Sequence, residues 1–264
     1  MDLQEMIGLG VAGNFAHHLE QAGELEDFRG IVTTEPEAPK GIFPFYLPSS
    51  KDFLGIYCIG TDKLELPIHE ANTQVEPEII LLCDIVYNRI EVSDLVPKAF
   101  TVFNDCTIRK EDAKKISEKK NWGLNSKGIG NKWIEIDKFE AGGVMDRYHL
   151  CSYVMRNNIL HPYGVDAPLL GYSYFYGKLK NWLIDKMNTQ KDFGPLEDIS
   201  GHLRACGYPK KALISIGATA YAEFGEKNYL ESGDEIYIIS YDTTCDQGDI
   251  TPSSTKAILH QKVM

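Results

Sequence analysis

The sequence has no surplus of positive charge, and that removes the first broad class of partner. Lys and Arg number 27 against 38 Asp and Glu, giving a formal net charge of −11 and a pI near 5.1. Binding a phosphate backbone or an anionic bilayer takes clustered Lys and Arg that displace counterions, so neither a nucleic-acid nor a membrane partner is expected. A small anionic molecule fits the composition better. Long apolar runs are also missing: none approaches the roughly 20 residues needed to span a bilayer. The first residues, Met1-Asp2-Leu3-Gln4-Glu5, lack the basic and then apolar segments of a secretory leader, which makes the cytoplasm the expected location. Cysteine is sparse and unpaired. Cys58, Cys83, Cys106, Cys151, Cys206 and Cys245 form no C-x-x-C pair, so they are expected to be reduced, without zinc or disulfide roles.

The 264 residues are 43% hydrophobic, enough for one compact domain that buries about 70–75% of its unfolded surface and can enclose an interior site. Apolar or alternating runs at 53–60, 75–87, 99–104, 132–136, 212–217 and 235–241 predict strands. Helical spacing is rarer. It predicts a short helix over 13–23, a Lys-rich one over 109–120, and one over 174–188, where Phe175, Leu179, Trp182, Leu183 and Met187 share a stripe. Residues 31–50 are expected to be extended, punctuated by Pro36, Pro39, Pro44 and Pro48. Strands outnumber helices and do not alternate with them, which points to a β-rich α+β fold, not a doubly wound parallel sheet. The stretch from Cys245 to Lys256, rich in Asp, Gly, Ser and Thr, is expected to be a surface loop.

Glu76 and Glu78 stand two apart at the entry to Ile79-Ile80-Leu81-Leu82-Cys83, and strand alternation puts residues i and i+2 on one face. Two carboxylates held together there repel unless a cation or a proton neutralises them. Asp105 closes a second apolar run, Ala99-Phe100-Thr101-Val102-Phe103. Three hard oxygen donors suit Mg²⁺, or alternatively Mn²⁺ or Ca²⁺. The competing readings are solvated surface glutamates and an Asp105 that merely caps a helix.

Asn104-Asp105-Cys106-Thr107-Ile108-Arg109 resembles the Asn-Asp-x-Thr-x-Arg signature of the fumarylacetoacetate hydrolase superfamily, and Glu76-Pro77-Glu78 resembles its upstream Glu-x-Glu. Gly13-Asn14-Phe15-Ala16-His17-His18 resembles the family's entry segment, and Phe45-Tyr46-Leu47-Pro48-Ser49-Ser50 its Lys-Pro-x-Ser loop. Ala212 to Thr219, followed by Leu230-Glu231-Ser232-Gly233-Asp234-Glu235, resembles the strand and turns that close the fold. The resemblance implies a β-rich mixed roll with few peripheral helices, usually a homodimer. Here residues 1–70 would form an arm packed on a roll of 71–244, with a tail at 245–264. It implies a divalent metal on Glu76, Glu78 and Asp105 that chelates a 2-keto or 1,3-dicarbonyl acid for hydrolysis, decarboxylation or tautomerisation. It further implies a His–Glu pair that orients water.

Several positions depart from that pattern. Glu is expected three residues after the histidine, but Gln21 follows His18 at that distance, whereas Glu20 follows His17. His18, His17 and Glu20 are all candidates for the base, and Gln21 in the acid's place would favour tautomerisation or decarboxylation over hydrolysis. The family's loop lysine is best matched by Lys120, with Lys119 and Lys127 as alternatives. Asn14, Arg109 and Thr219 are candidate substrate contacts, although Thr219 is displaced by one, Leu47 replaces the usual lysine, and Lys110 replaces an aspartate. If the base is lost, a non-catalytic cation-binding protein remains. Finally, Gly8-Leu9-Gly10-Val11-Ala12-Gly13 matches G-x-G-x-x-G with Glu35 downstream, a nicotinamide-dinucleotide pattern. Residues 2–7 are too polar for the buried strand that should precede it, and no βαβ unit follows.

Overall fold

The computed structural model describes residues 2–16, 18–23, 28, 30–33, 35–69, 71–110 and 113–264. The two apolar runs at 79–83 and 99–103 have no polar alternation, so a strand made from either must be covered on both faces. They become β6 (Pro77–Asn88) and β7 (Glu91–Asn104), one long antiparallel hairpin whose register runs from Pro77 opposite Asn104 to Asn88 opposite Glu91.

Around that hairpin the larger sheet is ordered β2 (Gly41–Tyr46), β1 (Ile7–Ala12), β13 (Lys211–Ser215), β6, β7, β9 (Lys127–Ile129) and β3 (Ile59–Gly60), with β10 (Ile134–Glu135) pairing off β7. A second sheet runs β12 (Ile159–Pro168), β11 (Tyr148–Arg156), β14 (Glu235–Asp242), β15 (Ala257–Val263) and β4 (Lys63–Leu64). A short ladder joins β5 (Thr73–Gln74) to β8 (Thr107–Ile108). The main core fills the space between these layers and includes Leu81, Phe100, Val102, Leu150, Ile214 and Ile238. Helices are few and peripheral: α1 (His18–Gln21), α2 (Tyr176–Thr189), α3 (Ile199–Ala205) and α4 (Glu223–Lys227). Helix α2 buries Leu179, Leu183 and Met187, the stripe predicted from spacing. The fold is strand-rich α+β with a curled mixed sheet, as expected.

Three local expectations fail, and the glycine motif takes a form of its own. Among the described residues of 109–120 no α-helix forms, and Ile116–Lys119 makes a 3-10 turn. The segment is instead drawn onto the loop at 192–197, where Ile116 N donates to Pro195 O and Lys115 Nζ donates to Gly194 O and Leu196 O. The strand over 53–60 is a 3-10 turn, Phe53–Gly55, followed by the two residues of β3. Residues 8–12 of the glycine motif lie in strand β1, buried, parallel to β13 and antiparallel to β2. A Cβ at Gly8 would lie 2.2 Å from the Phe45 ring, and one at Gly10 would lie 2.3 Å from the Phe43 ring. These glycines therefore seat aromatic rings and form no phosphate loop, while Glu35 pairs with Lys178 at 2.9 Å on the surface. Lastly, 257–263, grouped with the tail in the sequence reading, is strand β15 inside the second sheet. The loop expected before it is present.

Candidate metal centre

The hairpin register assembles the acids. Glu76 immediately precedes β6, Glu78 lies one residue inside it, and Asp105 immediately follows β7, with Asp105 N donating to Glu76 O at 3.0 Å. One ligand atom from each of the three acids lies within 4.8 Å of the others. All three are buried, at 4%, 1% and 0% exposure, which rules out the solvated-surface reading. Oxygens around one Mg²⁺ at roughly 2.1 Å are about 3–4 Å apart, and wider around Ca²⁺. The cluster therefore fits a hard divalent cation after little or no contraction. A cavity of about 20 Å³, bordered by Glu76, Glu78, His18 and Lys120, adjoins it. That is room for an ion or a water. Phe28, Phe43 and Ile116 close its walls.

The protein supplies cations of its own. Lys120 Nζ lies 2.5 Å from Glu76 Oε2 and 2.7 Å from Asp105 Oδ2, and Lys127 Nζ lies 3.0 Å from Asp105 Oδ1. Arg109 Nη2 lies 3.1 Å from Glu76 Oε1. Glu76 Oε1 and both Asp105 oxygens accept no well-aligned hydrogen bond. Burial pushes the Glu76 carboxyl up, but Lys120 first, then His18 and Arg109, hold it well below the usual carboxylate range. Glu78 goes the other way. Burial, reinforced by Asp105 and Glu76, raises it well above that range, against Lys120 and the Gly217 N–H. Gly217 N donates to Glu78 Oε2 at 2.9 Å from a backbone with φ of 108°, and a Cβ there would also press on Asn14. Glycine suits this conformation.

His18 is the only one of the two candidate histidines among the described residues; His17 lies outside them. His18 is 4% exposed, its Nδ1 is 3.0 Å from Thr219 O, and its Nε2 is 3.9 Å from Glu76 Oε1. A carbonyl can only accept, so Nδ1 carries a proton toward Thr219, and Nε2 is the nitrogen that faces the acids. Glu20 is exposed on α1 and does not share this buried environment. Gln21 holds the Tyr221 backbone, donating to its carbonyl at 3.3 Å and accepting from its N–H at 2.8 Å.

Asn14 is buried, and both hydrogens of its amide go to backbone carbonyls, Tyr174 O at 2.9 Å and Ile216 O at 2.8 Å. Its role in the structure is to tie the entry segment to the strand end. Arg109 also bonds Gln74 Oε1 at 2.6 Å and the Tyr221 hydroxyl at 2.8 Å, so it braces the site besides facing Glu76. Thr219 is 1% exposed, offers its carbonyl to His18, and keeps Oγ1 buried without a hydrogen-bond partner. Lys120 and Lys127 both reach the acids, and Lys119 is buried in the adjoining turn. Gln261 was not foreseen: it accepts from Asn104 Nδ2 at 3.0 Å, while Asn104 Oδ1 accepts from Glu76 N at 3.3 Å. Ser117, bonded to Glu197 at 3.0 Å under the Lys120 turn, was likewise missed. Nothing local in the sequence marks contacts that span 80 or more residues.

No curated protein matches the sequence. Solved structures are similar at low identity. A protein described as of the fumarylacetoacetate hydrolase family from Yersinia pestis CO92 matches with a TM-score of 0.56 at 12% identity, over 98% of this chain and 93% of that one. The 2-hydroxyhepta-2,4-diene-1,7-dioate isomerase from Mycobacterium marinum matches with 0.54 at 16%, over 97% and 73%. A 2-keto-3-deoxyarabinonate dehydratase matches with 0.51 at 13%, over 97% and 72%. No helix among the described residues is long and apolar enough to cross a membrane. Residues 24–263 match a family of unknown function, DUF5718, so the chain belongs to that family and carries the fumarylacetoacetate hydrolase fold.

Proposed function

We propose that this chain is an enzyme dependent on a hard divalent cation, Mg²⁺ foremost, acting on a small 2-keto or 1,3-dicarbonyl acid by proton transfer or decarboxylation. The observation that carries the proposal is the buried meeting of Glu76, Glu78 and Asp105 beside His18, whose Nε2 faces them. A cation held by those acids would supply Lewis acidity where negative charge develops on a carbonyl oxygen.

The chain's own groups do the rest. His18 Nε2 is positioned to take or return a proton, with its tautomer fixed by the Thr219 carbonyl. Orientation by a carbonyl gives weaker support to a developing imidazolium than a carboxylate would. That favours moving a substrate proton over activating water, as does the apolar wall of Phe28, Phe43 and Ile116. Lys127 and Arg109 keep positive charge beside the acids. A non-catalytic cation-binding protein is the second reading. It draws on Gln21, which stands where the family's acid is expected and is committed to the Tyr221 backbone.

Oxaloacetate and acylpyruvates assayed with Mg²⁺ or Mn²⁺ test the proposal. Turnover that is lost in Glu76→Ala while circular dichroism retains the fold supports the enzyme. Cation binding without turnover of any 2-keto acid supports the second reading.

A further inference from the structure

We infer that Lys120 is a built-in cation occupying the place of the divalent ion, and that it must withdraw for the ion to bind. This rests on the cation-binding reading above. Its ammonium bridges two of the three acids, at 2.5 Å from Glu76 Oε2 and 2.7 Å from Asp105 Oδ2. The remaining oxygen of each acid already faces a cation, Arg109 at 3.1 Å for Glu76 and Lys127 at 3.0 Å for Asp105. Asp105 therefore has no oxygen that does not face an ammonium. The adjoining cavity, about 20 Å³, does not accommodate a hydrated ion together with the Lys120 head group. A divalent ion and an ammonium sharing the same two oxygens would also repel each other strongly in a site with little water.

The two lysines differ in their freedom to leave. Lys127 is fully buried in strand β9, donates to Cys106 O, and lies over the Trp122 ring. Lys120 follows the 3-10 turn at its C-terminal edge, and its flexible stem passes the Phe43 ring, 5.2 Å from the ammonium, at the cavity wall. Glu78 has no lysine at ion-pair distance and is held by Gly217 N, which makes it the acid an arriving ion meets without displacing an ammonium. With Lys120 in place Glu76 and Asp105 already face cations, and the ion's affinity is set by how readily Lys120 gives up its contacts to these two acids.

The test is Mn²⁺ binding to the full chain, read by electron paramagnetic resonance of the unbound ion, for wild type, Lys120→Ala, Lys120→Arg and Glu78→Gln. Lys120→Ala is expected to bind Mn²⁺ about ten-fold tighter or more, and Lys120→Arg no tighter than wild type. Methylammonium chloride should weaken binding to Lys120→Ala more than sodium chloride does at equal ionic strength, because the small cation re-enters the vacated place. Lys120→Met, which keeps much of the stem, repeats the affinity comparison if the alanine variant does not fold. Unchanged or weaker affinity on removing the ammonium overturns the inference, while loss of wild-type binding in Glu78→Gln would leave the cation-binding reading standing. Tighter binding with no methylammonium effect also overturns it, since remote charge then explains the gain. No Mn²⁺ binding by wild type or by either ammonium-free variant ends both.

Discussion

Glu197 offers a measurement of how firmly the turn before Lys120 is held. It lies just before α3, 8% exposed, with Oε1 accepting from Ser117 Oγ at 3.0 Å and Oε2 buried without a hydrogen-bond partner. Burial raises its carboxyl from 4.5 to about 7, opposed by Ser117 and Lys115 and assisted by Asp192 and Glu118. Between those two pH values the folded chain holds a proton that the unfolded chain has released. Stability therefore falls as pH rises through the window, and the loss is complete once the folded carboxyl has ionised. A rise of about 2.5 units corresponds to about 3 kcal/mol at most. Glu197→Gln mimics the protonated acid at every pH. Urea unfolding followed by circular dichroism should give the two chains similar stability near pH 5, with the variant ahead by about 2–3 kcal/mol at pH 8. Stability curves that stay parallel from pH 5 to 8 would refute the reasoning, because Glu197 would then ionise alike in both states.

Two further substitutions probe the site's surroundings. Gln21→Glu keeps the acceptor for Tyr221 N but sets a carboxylate against Tyr221 O, now 3.3 Å from the amide nitrogen. The melting temperature should fall, for a loss of about 1–3 kcal/mol, and hydrolysis of acylpyruvates should not appear; a gain of hydrolysis would show that the position can serve as the missing acid. Gly10→Ala drives a methyl into the Phe43 ring. It should lower the urea midpoint by the equivalent of about 1–3 kcal/mol with an unchanged slope, and an unaffected midpoint would mean that the ring moves aside at no cost.

The acids are legible in the sequence because their signal is local: a two-residue spacing at the head of one apolar strand and an aspartate at the end of another. The hairpin that joins them needs no information beyond those runs. The glycine-rich strand β1 is illegible for the opposite reason. Glycine is a poor strand former, and what makes 7–12 extended is the seating of Phe43 and Phe45 on Gly10 and Gly8, which only the folded sheet reveals. The pattern at 109–120 predicts a helix by spacing, but the loop at 192–197 takes up polar groups a helix would have kept. Lys120 and Lys127 are indistinguishable in sequence, and both reach Asp105 because the chain turns at 116–119 and returns in β9. The partner of His18, a carbonyl 201 positions away, leaves no local trace.

Because both halves of the acid cluster hang from opposite rails of one ladder, the tolerance of the protein to changes in length should be uneven along it. Irregularities sit between Leu82 and Cys83 and between Val86 and Tyr87, on the way from the tip to the acids. An extra residue near Arg89, where the backbone already turns through a φ of 58°, can be taken up there as another bulge. The same insertion between Pro77 and Leu82 would rotate Glu78 to the opposite side of the sheet. The far end of the hairpin is thus the place to attach a probe or a tag, and the near end is where a single misplaced codon would dismantle the cluster.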